Sequence, residues 1–171
     1  MKTIAILKKN QIHEARFMHL DKFYIGRGTG SYLGNEWSHL PKSLSKYKVA
    51  TVEEAVRCHR NFFIGMVNDY KNPAYRSALI QLRSMYDARK NGSEIALVCH
   101  CMTRIGDKSF GGPCHALIIS EFLEILGEHY ETKGMAYCAA ELKRRYNGTA
   151  APSTKDAGVN EFVQNFRTGQ I

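Results

Sequence analysis

The five residues Ile95-Ala96-Leu97-Val98-Cys99 carry no strongly polar side chain and run straight into His100-Cys101. A polar, glycine-containing stretch from Met102 to Gly112 then leads to Pro113-Cys114-His115 and a second apolar segment. No other part of the sequence constrains the fold as tightly. An apolar run this short fits a strand buried on both faces, the habit of a parallel sheet. A parallel strand needs a crossover. Leu117, Ile118, Phe122, Leu123, Ile125 and Leu126 mark an apolar helix from Cys114 to about Tyr130, with Pro113 suited to its first turn.

The alternation extends toward the N-terminus. Residues 3–7 are β-prone and read as a first strand. Residues 16–20 and 22–25 read as strands on either side of Asp21. Thr51, with Glu54 three residues on, forms a capping-box pattern. Val52, Ala55, Val56, His59, Phe62, Phe63, Met66 and Tyr70 then recur at helical spacing until Asn72-Pro73. A second helix spans about 74–90, with Ala78, Leu79, Leu82, Met85 and Tyr86 on one face and Asn91-Gly92 at its end. A last helix covers 135–146 and carries Lys143-Arg144-Arg145. Residues 147–171, rich in Gly, Ala, Pro, Ser and Thr, read as a loosely structured C-terminal arm.

With 44% hydrophobic residues the chain can build a core. Strands alternating with helices predict one α/β domain over residues 1–146, a three-layer sandwich with a mainly parallel sheet and a C-terminal helical extension. Ligands of such sheets bind beyond the carboxyl ends of the strands. That rule sends the glycine-rich segment 24–35 and the cysteine-rich segment 99–115 to the same edge.

Each segment carries chemistry. In Tyr24-Ile25-Gly26-Arg27-Gly28 the glycines let backbone N–H groups approach an anion, and Arg27 can clamp a phosphate or carboxylate with two parallel bonds. The spacing is neither a P-loop nor a dinucleotide fingerprint. Taken alone, it also fits a glycine-rich turn with Arg27 in solvent. Ser31, Gly34 and Asn35 follow, with Asn35 placed to orient a base or sugar. Cys99, Cys101, Cys114 and His115 leave three readings open. They form a zinc site with four ligands, although adjacent Cys114 and His115 diverge by about 100° on a helix. They form a ligand or active site at a helix N-terminus, where a thiolate or phosphate is stabilised and His115 carries a proton. Or they are small packing residues. The reading adopted here places no metal or other cofactor and makes Cys114 and His115 the reactive pair. Cys58 and Cys138 fall inside helical patterns and read as packing residues. Glu36 and Asp107 are candidate bases. His59 and Arg60 support the site only if the first helix packs beside the cysteine loop.

The formal net charge of +8 predicts attraction to phosphorylated ligands or nucleic acid. Five cysteines, an odd count, suit a reducing compartment. No apolar run approaches the roughly 20 residues a membrane span needs. The expectation is a soluble cytoplasmic protein with no membrane partner. The apolar helix 117–126 serves either core or a homo-oligomer interface.

Tyr24-Ile25-Gly26-Arg27, Ser31-Tyr32-Leu33-Gly34-Asn35, Leu97-Val98-Cys99-His100-Cys101 and Pro113-Cys114-His115 together resemble a bacterial and bacteriophage family catalogued as a domain of unknown function, number 4326. The resemblance covers about residues 23–126. Here Glu36-Trp37 follows Gly34-Asn35 where the family has proline, and the stretch from Met102 to Pro113 is longer than the family's. The resemblance implies a Rossmann-like, nucleotide-binding domain of phage origin, working in the host cytoplasm. Its ligand would be a nucleotide or nucleotide-like phosphate, held by Tyr24, Gly26, Arg27, Gly28, Ser31, Gly34, Asn35, Cys99 and Cys101. If the chain is an enzyme, it acts on a glycosidic or phosphate bond. The alternative is a non-enzymatic binder that sequesters a nucleotide signal or engages nucleic acid or a host-defence protein.

Overall fold

The computed structural model describes residues 4–28, 30–100 and 114–147. In chain order its elements are β1 (Ala5–Lys8), β2 (Asp21–Tyr24), β3 (Trp37–Ser38), β4 (Tyr47–Lys48), α1 (Val52–Asn68), α2 (Arg76–Lys90), β5 (Ile95–Cys99) and α3 (Ala116–Asn147). Single 3-10 turns occupy Lys9–Gln11, Ala15–Phe17 and Pro73–Tyr75. The fold is therefore mixed α/β, with three helices and a small parallel sheet of three strands. The sheet order is β1-β5-β2. Both neighbours run parallel to β5, with Ile6 and Phe23 each in register with Leu97. The short β3 and β4 pair separately, also in parallel.

All five residues of β5 are buried because the sheet is covered on both faces. Strand side chains alternate between faces. Ile95, Leu97 and Cys99 join the main core, which contains Phe63, Leu82, Met85, Ile119, Phe122 and Leu123 from the three helices. Ala96 and Val98 point the other way and pack with Leu7, Ile12, Phe17 and Leu20. Each fully buried Leu, Ile or Phe contributes about 1.5–3 kcal/mol. The central position of β5 thus follows directly from its unbroken apolar run.

Residues 16–20 are a correction. They do not form a strand: Ala15–Phe17 is a 3-10 turn, with Phe17 N–H donating to the Glu14 carbonyl and Leu20 N–H to the Phe17 carbonyl. The turn brings Phe17 and Leu20, three residues apart, over the second face of the sheet. Leu117, at the start of the apolar helix expected to serve core or interface, is 53% exposed and lies outside the core. The helical rotation of about 100° per residue turns it away from Ile118 and Phe122.

The helix ends follow the sequence closely. Thr51 Oγ1 accepts from Glu54 N–H at 3.1 Å, and the Glu54 carboxylate accepts from Ala50 N–H at 2.9 Å. The return arm of the capping box thus lands one residue earlier than the usual pattern. Asn72 caps the turn that Pro73 opens before α2. The expected separation between the last two helical segments is a break inside α3, where Gly134 leaves helical geometry at φ 75°, ψ 178°. The arm beyond residue 147, and the segment 101–113 with Cys101 and Asp107, lie outside the described residues. No helix is long and apolar enough to cross a membrane among the described residues.

Candidate functional site

The carboxyl ends of β2 and β5 carry the two segments singled out in the sequence, and the fold brings them into contact. Ile25 N–H donates to the Val98 carbonyl, which continues the β2–β5 ladder by one residue. The Ile25 carbonyl then meets His115 Nε2 at 2.8 Å. A carbonyl only accepts, so Nε2 carries the proton and the neutral ring has its lone pair on Nδ1.

Cys114 and His115 immediately precede α3 rather than lying in its first turn. The Cys114 carbonyl accepts from Leu117 N–H at 3.2 Å, and its sulfur accepts from Ala116 N–H at 3.4 Å. Cys114 therefore occupies a capping position, where backbone N–H groups stabilise a thiolate. Its sulfur lies 3.4 Å from the Cys99 sulfur. That is far beyond the S–S bond length of about 2.05 Å, so this is a contact between two separate sulfurs. Cys99, Cys114 and His115 are all buried, and one potential ligand atom from each lies within 4.8 Å of the others. Burial lowers the His115 pKa, opposed by the Ile25 bond and by Cys99, while Arg27 adds to the lowering.

His59 joins this group. α1 packs against α3, and the His59 ring meets that of His115 edge-on at a centroid distance of 5.0 Å. His59 is 1% exposed, and neither ring nitrogen has a hydrogen-bond partner among the described residues. Burial, reinforced by His115, holds its pKa well below the ordinary value, so the ring is neutral at pH 7. An unsatisfied buried polar group of this kind costs about 1–3 kcal/mol. Arg60 takes no part, since its guanidinium lies over the Tyr146 ring at 4.9 Å.

The glycine-rich loop is largely self-braced. Arg27 is exposed, yet it donates to the Asn35 carbonyl at 2.7 Å and to Ser43 Oγ at 2.8 Å. Tyr24 hydroxyl donates to the Arg27 carbonyl. Buried Asn35 donates through Nδ2 to the Ala55 carbonyl, and its Oδ1 accepts from Trp37 N–H. Its amide thus ties the loop to α1. Gly26 is buried, while Gly28 is exposed with φ 132°. Gly34 is fixed by close approach: a Cβ there would lie 2.9 Å from backbone atoms of Gly26 and Arg27. Ser31 Oγ is buried without a hydrogen-bond partner among the described residues. Glu36 is partly buried.

Sequence reasoning passed over the residues at the end of β1. A cleft of about 400 Å³ opens there, lined by Lys8, Lys9, Asn10, Cys99 and His100. The only available signal was a pair of lysines after an apolar strand. Their convergence with His100 depends on β1 pairing with β5, which no local pattern encodes. A larger cavity of about 590 Å³ lies among α2, α3 and the turn at Pro73, with Leu79, Tyr86 and Met135 among its lining. Its lining also includes Lys71, Arg76 and Arg83, but it lies away from the carboxyl edge of the sheet, whereas the smaller cleft sits at that edge and borders Cys99.

No family model, curated protein or solved structure matches the chain. The resemblance to family 4326 therefore rests on the quoted residues alone.

Proposed function

We propose that this chain is a Rossmann-like domain binding a nucleotide or nucleotide-like phosphate ligand across the carboxyl edge of its parallel sheet. The observation that carries the proposal is the basic cleft where β1 and β5 end. Lys8, Lys9 and His100 line it together with Asn10, and the Gly26–Gly28 turn with Arg27 follows β2 at the neighbouring strand end. Parallel α/β sheets bind ligands at this edge, and cationic side chains there favour an anion. Lys8 and Lys9 would neutralise phosphate, with Arg27 offering the donors its two loop bonds leave over. Asn35 is a positioning residue that sets the Arg27 loop, because both ends of its amide are engaged internally.

The test is calorimetric titration of the full chain with a panel of nucleoside mono-, di- and triphosphates and dinucleotides. A Lys8→Ala/Lys9→Ala variant should bind at least about tenfold more weakly with little change in melting temperature, since Lys9 is exposed and Lys8 only partly buried. Saturable binding unaffected by the double substitution would remove the cleft from the site. Absence of binding across the panel would overturn the reading.

A further inference from the structure

We propose that Cys99, Cys114 and His115 form a binding site for a thiophilic divalent cation, zinc by its donor set. Cys99 also borders the phosphate cleft, but the metal is read out by its own content and spectrum, with no need for a bound phosphate. Two sulfurs and an imidazole suit zinc and match the three protein ligands of zinc sites that keep a fourth position open.

The local geometry already has the features such a site uses. The sulfurs stand 3.4 Å apart. Two thiolates on a tetrahedral zinc at about 2.3 Å would stand about 3.8 Å apart. One potential ligand atom from each of the three residues already lies within 4.8 Å of the others. His115 donates its Nε2 proton to the Ile25 carbonyl at 2.8 Å, the outer bond that orients metal-ligating histidines and leaves Nδ1 as the donor. Ala116 N–H donates to the Cys114 sulfur, which favours its thiolate form.

A second observation points the same way. His59, 1% exposed and packed on His115, has no hydrogen-bond partner at either nitrogen among the described residues. A water completing the cation's coordination would give it one. The adjacency of Cys114 and His115, awkward inside a helix, is removed because both precede Ala116, where the chain is not yet helical.

The experiment uses the full chain purified without chelator. Elemental analysis should find about one zinc per chain. After replacement by cobalt, the spectrum should show thiolate-to-metal charge transfer and the visible bands of a tetrahedral ion. Cys99→Ser and Cys114→Ser should each abolish the charge-transfer band and weaken zinc binding more than about 100-fold. Cys58→Ser should leave both unchanged. If the serine variants do not fold, zinc X-ray absorption of the unaltered protein decides, with at least two sulfurs at about 2.3 Å expected. A metal-free protein that takes up neither ion, a shell of nitrogen and oxygen only, or a charge-transfer band that survives Cys114→Ser would each overturn the proposal. Nucleotide titration of the metal-free protein reads the phosphate cleft separately, so the two proposals fail independently.

Discussion

Gly34 shows how much of the candidate site depends on one missing carbon. Its neighbours at 2.9 Å are backbone atoms of Gly26 and Arg27, which cannot swing aside as a side-chain tip would. Gly34→Ala should therefore displace the Arg27 turn and cost about 1–3 kcal/mol of stability, measurable by urea unfolding. An unchanged midpoint would mean that the loop relaxes freely and that Arg27 is not held by it. Asn35 belongs to the same brace: its residue type was legible as special in the sequence, but its role was not. The side chain that suggested base recognition instead bonds Ala55 and Trp37. His59 is the opposite case. Its helical spacing left its place beside the site conditional on how the first helix packs, and the packing of α1 on α3 sets it against His115 as a buried imidazole without hydrogen bonds among the described residues.

Among the elements, α3 is the most informative. Its apolar first half supplies Ile119, Phe122 and Leu123 to the core, and its second half starts anew after Gly134. With φ 75° and ψ 178°, Gly134 sits in a region that a residue with a Cβ enters only under strain. Gly134→Ala should cost about 1–3 kcal/mol in thermal or urea unfolding. A neutral result would show that the two halves can merge into one straight helix. The break between residues 130 and 135 was legible because the apolar pattern lapses there, whereas its point at Gly134 depended on backbone geometry. The mistaken strand at 16–20 has an equally local cause: a short mix of polar and apolar residues, with Phe17 and Leu20 three apart, fits both an edge strand and a turn, and the sheet's second face needed covering.

At the scale of the molecule, the sheet is held to its helices from one side and closed by turns on the other. The α2–α3 junction is pinned by Arg89, whose guanidinium is buried while bonding the Leu123 carbonyl and Glu124, both at 2.9 Å. Arg89→Ala should lower global stability by about 2–3 kcal/mol, because a buried carbonyl loses its donor and the stem's packing is lost. Chemical denaturation would check this, and a change under 0.5 kcal/mol would show that the helices hold together by apolar packing alone. The sequence by itself determined the buried parallel strand β5, the capped helices and the α/β class, because side-chain periodicity and capping act over a few residues. Tertiary structure alone decided the β1-β5-β2 order, the cleft of Lys8, Lys9 and His100, and the packing of His59 on the group of Cys99, Cys114 and His115 that the sequence had singled out. Residues 8–9, 59, 99–100 and 114–115 belong to separate parts of the chain, and strand pairing and helix packing bring them together.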